Sequence, residues 1–190
     1  VRIPSTSGPS ADYFQLAVID QGHGEVEIYE LDLVGTPTAT HKRTLFSKGE
    51  GYGQLSSPQG ICYYRSRYDH YPFATICVSD AGNNKLVISN TNNYGGLAET
   101  PPGMFPDNAW LMDVTIDYYG NVYVVDWQND CIYVVSSSLQ QLVAVFGEEG
   151  MGDRQLFTPD YINKLDYWRY NGTPRYEPVV VGEMFTAEAF

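Results

Sequence analysis

The chain has 190 residues, 43% of them apolar and 14% aromatic, too apolar a mixture for a disordered segment and enough for one substantial core. Twenty-three acidic against 11 basic residues leave a net charge of −12, a field that repels phosphate backbones and anionic membranes and argues against a nucleic-acid partner. No apolar run approaches the ~18 to 20 residues that cross a bilayer, so no membrane span is expected.

Sixteen tyrosines with 18 glycines and 11 prolines combine strand formers with turn formers, which points to an all-β chain of short strands. Taken along the chain, residues 1–12 show no turn signal that opens a repeat. The first strand pair is expected at Ala17-Val-Ile-Asp20 and, across a polar turn, Glu25-Val-Glu-Ile-Tyr29. A Gly-rich stretch from Phe46 to Pro58 leads to Gly60-Ile-Cys62. After a long insert, Tyr64 to Phe73, come Ile76-Cys-Val-Ser-Asp80, a turn, and Leu86-Val-Ile88. A polar connector, Ser89 to Gly103, precedes Val114-Thr-Ile-Asp117, whose Gly120-Asn121 turn suits a tight hairpin because both residues tolerate positive φ. Val122-Tyr-Val-Val-Asp126, a turn and Ile132-Tyr-Val134 follow. A second Gly-rich stretch, Phe146 to Pro159, then matches the first with one residue inserted, and Val179-Val-Val-Gly-Glu183 closes the series.

The chain therefore repeats. Asp20, Asp80 and Asp126 each end a strand, at spacings of 80 − 20 = 60 and 126 − 80 = 46 residues, and each is followed by a polar turn and another strand. A repeat of this length holding several strands is expected to be a propeller blade, with copies at about 1–45 (partial), 46–92, 93–145 and 146–190 (partial) in a single region, 1–190. The first copy is expected to begin midway. A six-bladed ring at this spacing takes roughly 300 residues, so the chain is expected either to be an incomplete ring, completed by a parent chain or by neighbouring copies, or to close with four blades.

The junction Gly53-Gln-Leu-Ser-Ser-Pro58-Gln-Gly60-Ile61, followed by Val78-Ser-Asp80-Ala-Gly-Asn-Asn84-Lys85-Leu86, resembles the NHL-repeat β-propellers. The Asp126 copy is similar, with Cys131 where the family's basic residue belongs. The resemblance implies a propeller fold. It also implies a binding role for most such modules, with zinc and calcium in the amidating lyases of the class.

Asp20, Asp80 and Asp126 are read as acceptors for the free N–H groups of the turns that follow them. Calcium ligation is the sharper alternative, but no dense Asp-x-Asp-x-Asp loop is present. His23, His41 and His70 fall in separate loops without zinc spacing, and no Walker loop, Gly-x-Ser-x-Gly elbow or dinucleotide fingerprint occurs. No cofactor and no catalytic residue is expected, with calcium or zinc as the exception the family allows.

Binding residues are sought instead among the rings. The insert carries Tyr64, Arg65, Arg67, Tyr68, His70 and Tyr71, an aromatic and basic excursion with no core to fill, and is read as the interaction surface. Trp110, Tyr118, Tyr119, Trp127, Tyr167, Trp168 and Tyr170 recur near strand ends, where packing between copies is the alternative reading of each. Asn171-Gly-Thr173 is a glycosylation sequon. Aligning the second copy with the third places Cys62 and Cys77 on adjacent antiparallel strands, opposite one another. A disulfide is therefore expected, and with it an oxidising, secreted or extracellular setting. The function expected is a non-enzymatic module for protein or glycan binding and assembly. The alternatives are a metal-dependent lyase or hydrolase of the propeller class and a structural subunit of an extracellular polymer.

Overall fold

A computed structural model describes residues 2–4, 13–64, 75–91, 96–117, 119–150, 155–164 and 179–183. The described chain is all β, in four antiparallel sheets. The first is the meander β1 (Arg2–Pro4), β2 (Tyr13–Asp20), β3 (Glu25–Asp32) and β4 (Thr38–Leu45). The second runs β5 (Pro58–Tyr64), β6 (Thr75–Asp80), β7 (Lys85–Asn90) and β8 (Ala98–Glu99). The third runs β9 (Leu111–Ile116), β10 (Val122–Asp126), β11 (Cys131–Val135) and β12 (Leu142–Phe146). A two-stranded sheet, β13 (Pro159–Lys164) with β14 (Val179–Glu183), follows. No helix among the described residues is long and apolar enough to cross a membrane.

Two boundaries differ from the sequence reading. The first copy does not begin midway: β1 pairs with β2, Ile3 opposite Gln15, and completes a fourth strand. Three residues are too few to carry a periodic signal. Likewise β8 pairs with β7, Ala98 opposite Ile88, so the second sheet extends past residue 92 into what was read as the next copy.

Period-2 alternation sends successive side chains of β6 to opposite faces, and both faces are buried. Ile76 and Val78 join Val26, Ile28 and Leu45 of the first sheet in one core. Cys77, between them, joins Leu111, Val114 and Ile116 of the third sheet in another. Val125 and Ile132 turn to Ile162 of the fourth. Each core thus lies between consecutive sheets, and each fully buried Val, Leu or Ile contributes about 1.5–3 kcal/mol that no sheet could gain alone. Contacts between sheets run in the same order, β2 to β5, β5 and β6 to β9, β9 and β10 to β13.

The two Gly-rich junctions have one geometry. Gly49 N–H donates to the Leu55 carbonyl and Leu55 N–H to that of Ser47. Gly150 and Leu156 repeat this with Glu148, all four bonds being 3.0 Å. Gly49 and Gly150 have φ of 153° and 152°, and a Cβ on either would strike the side chain of Gln54 or Gln155 at under 2.5 Å. These fixed points are equally spaced in the two junctions, so the inserted residue of the second lies ahead of them, at Gly147 between Phe146 and Glu148.

Candidate interaction surface

One end of the sheets gathers the turns after β2, β6 and β10 and the junctions that lead into β5 and β9, because the register pairs Pro58 with Asp80 and Leu111 with Asp126. The three turns share a backbone. The fourth residue after each Asp, namely Gly24, Asn84 or Asp130, has φ of 65°, 50° or 49°. These are the residue types that enter the left-handed region at least cost.

The Asp residues hold this end together, each through its own set of donors. Asp80 is fully buried and takes its backbone bonds from the preceding junction rather than from its own turn. It accepts Ser56 N–H at 2.9 Å and Ser57 N–H at 2.7 Å from the preceding junction, and Asn83 Nδ2 at 2.8 Å. Asn83 in turn donates to the Gly49 carbonyl at 2.8 Å. Asp126, also fully buried, reaches both ways: it accepts Trp110 N–H at 2.9 Å, Gln128 N–H at 3.0 Å, Asn129 Nδ2 at 2.6 Å and Tyr133 Oη at 3.1 Å. Asp20 serves its own turn alone, accepting His23 N–H at 3.0 Å and sharing a 2.9 Å contact with His23 Nδ1. That hydrogen bond lowers the Asp20 pKa and raises that of His23.

Lys85, five residues after Asp80, is buried and bonds Glu99 Oε2 at 2.8 Å and the Gly51 carbonyl at 3.0 Å. Glu99 also accepts Gly53 N–H at 3.0 Å, so β8 ties the junction to the sheet. In the third sheet Cys131 takes that place, its thiol pushed up by burial and bonded to Tyr133. Burial, with Cys131 beside it, holds the Tyr133 hydroxyl well above its ordinary range.

The exposed feature of this end is a tryptophan pair. Trp127 N–H donates to the Trp110 carbonyl at 3.1 Å, continuing the β9–β10 register outward, and the side chains are 42% and 41% exposed. That bond sets the two exposed tryptophans at the same end of the third sheet. Beside them Asn108 Nδ2 donates to Asn129 Oδ1 at 2.8 Å. Two flat apolar rings next to a pair of amides can cover a partner's apolar surface while bonding its polar groups.

Of the residues read as the interaction surface, Tyr64 ends β5, its backbone paired with Thr75. Arg65, Arg67, Tyr68, His70 and Tyr71 lie outside the described residues, as does Asn171. Cys62 and Cys77 are register partners as expected, but both are free, buried thiols, and no disulfide joins them. Among the described residues no group of three or more His, Cys, Asp or Glu side chains is placed to hold a metal. The Asn108–Asn129 pair escaped the sequence reading because Asn in a turn is commonplace. Glu99 escaped it because a two-residue strand has no period.

No protein-family model matches the chain, and no curated protein matches it.

Proposed function

We propose that the chain is a segment of an NHL-like β-propeller and acts as a non-enzymatic binding and assembly module for a protein or glycan partner, in a secreted or cell-surface protein. The observation that carries the reading is the burial of the second and third sheets on both faces, each against the sheet before and the sheet after it. Radial blades need this arrangement, and a two-sheet sandwich lacks it. The repeated junction and the turn motif with its buried Asp are what NHL blades use, and Asn84-Lys85 fits that pattern. Further blades come from a parent chain or from neighbouring copies. The binding surface is assigned to the end that bears Trp110 and Trp127; the aromatic and basic insert between Tyr64 and Phe73 starts from the opposite end of the second sheet, where Tyr64 pairs with Thr75, and is a separate candidate.

The test is a panel of neutral oligosaccharides and candidate proteins read by tryptophan fluorescence. A ligand that quenches the native chain and binds the Trp110→Ala/Trp127→Ala double variant at least about tenfold more weakly supports the surface. Undiminished affinity in the double variant moves the site elsewhere.

A further inference from the structure

We propose that Cys62 and Cys77 are the two halves of a reversible cross-strand disulfide, closed by exchange with a low-molecular-weight disulfide while the β5–β6 pair is open. The two residues are direct register partners on adjacent antiparallel strands. Such partners hold their Cα atoms about 4.5 or 5.5 Å apart, inside the span a disulfide tolerates without moving the backbone. The two side chains lie on the same face of the strand pair and in the same core.

The third cysteine is excluded by the same geometry. Cys131 has Asp126 as its register partner and bonds Tyr133, so the pairing is selective although all three thiols share one core. Access supplies the gate. Cys77 is fully buried and Cys62 nearly so, beneath Leu111, Val114 and Ile116 of the third sheet. Burial also pushes the Cys62 thiol up, which keeps the nucleophilic thiolate scarce in the folded chain. Exchange belongs to the folding chain or to an opened sheet.

The step balances as follows. The thiolate of one cysteine attacks a sulfur of the small disulfide RSSR, forming a mixed disulfide and releasing RS⁻. The second thiolate attacks the protein sulfur of that mixed disulfide and releases a second RS⁻. Two cysteine protons end on two RSH, the protein pair is oxidised by two electrons, and RSSR is reduced by two. The bridge then joins the two strands that flank residues 65–74, fixing both stems of that insert. The inference stands on the β5–β6 register alone, so its failure leaves the propeller reading intact.

The chain is reduced and unfolded, refolded in a glutathione/glutathione-disulfide buffer, quenched with acid, alkylated in denaturant and weighed. The expected product has lost two hydrogens, carries one alkyl group, at Cys131, and regains three alkylatable thiols with dithiothreitol. Cys131→Ser forms the same bridge. Folded reduced protein given glutathione disulfide without denaturant forms it at least about tenfold more slowly. Three alkylatable thiols in oxidatively refolded protein with native circular dichroism, or a bridge to Cys131, overturn the pairing. Equal rates for folded and refolding chains overturn the gate.

Discussion

The carboxylate of Asp80 accepts the backbone N–H of Ser57 at 2.7 Å, joining the end of β6 to the start of β5. Its partners Ser56, Ser57 and Asn83 all donate to this buried group. Asparagine offers its amide nitrogen to donors and so replaces the acid poorly. Asp80→Asn and Asp80→Ala are both expected to lower unfolding stability by about 3 kcal/mol, read from urea midpoints at constant m-value. A loss under about 0.5 kcal/mol in Asp80→Asn contradicts the clamp.

The equivalent residues rank by what they hold. Asp126 joins the lead of β9, the following turn and Tyr133, while Asp20 holds only His23 in an exposed turn. Alanine substitution is expected to cost at Asp126 as it does at Asp80, and to leave the melting temperature nearly unchanged at Asp20. Calorimetry on the three variants gives the order.

His23 is expected to titrate above its ordinary value because the Asp20 carboxylate holds its protonated form. For the raised His23, the stabilisation is complete below the unfolded histidine pKa and fades as pH rises through the folded one. For the lowered Asp20, it is present above the unfolded carboxylate pKa and fades as pH falls through the folded one. The pair therefore helps only in the mildly acidic window between them. An NMR titration of the His23 ring should move back toward the ordinary midpoint in Asp20→Asn; an unchanged midpoint breaks the assignment.

Asp113 behaves in the opposite sense. Burial raises its pKa, although its carboxylate accepts Ile162 N–H at 3.1 Å and Val114 N–H at 2.9 Å. The folded state thus holds this proton more tightly than the unfolded chain, and at this group stability rises as pH falls from above the folded pKa toward the unfolded one. Asp113→Asn removes that dependence and keeps a carbonyl for the β9–β13 link. Its stability profile should be flatter than the native one on the alkaline side of the ordinary carboxylate pKa, where the raised Asp113 titrates. An unaltered profile contradicts a buried, costly charge.

The sequence showed the parts of this fold that repeat. Phe46 to Pro58 and Phe146 to Pro159 announce two junctions because a backbone that turns through Gly49 or Gly150 admits few residue types. Strands of five or more residues alternate visibly, whereas β1 and β8, at three and two residues, leave no pattern to read. The Asp positions were legible, but the partners of Asp80 were not: it draws on Ser57, 23 residues earlier in the chain, and only the register brings the two together. Trp110 and Trp127 were two of seven rings near strand ends, and the backbone bond that joins them depends on the β9–β10 pairing, which no spacing encodes.

The central claim is that consecutive sheets stack face to face, β5 beside β9 and β9 beside β13. An experimental density map that traces these strands tests it most directly. The account predicts β5, β9 and β13 side by side around a common axis, with Cys77 facing the third sheet and Ile76 the first. Two sheets closed on each other as a sandwich, leaving one face of β6 in solvent, would contradict it.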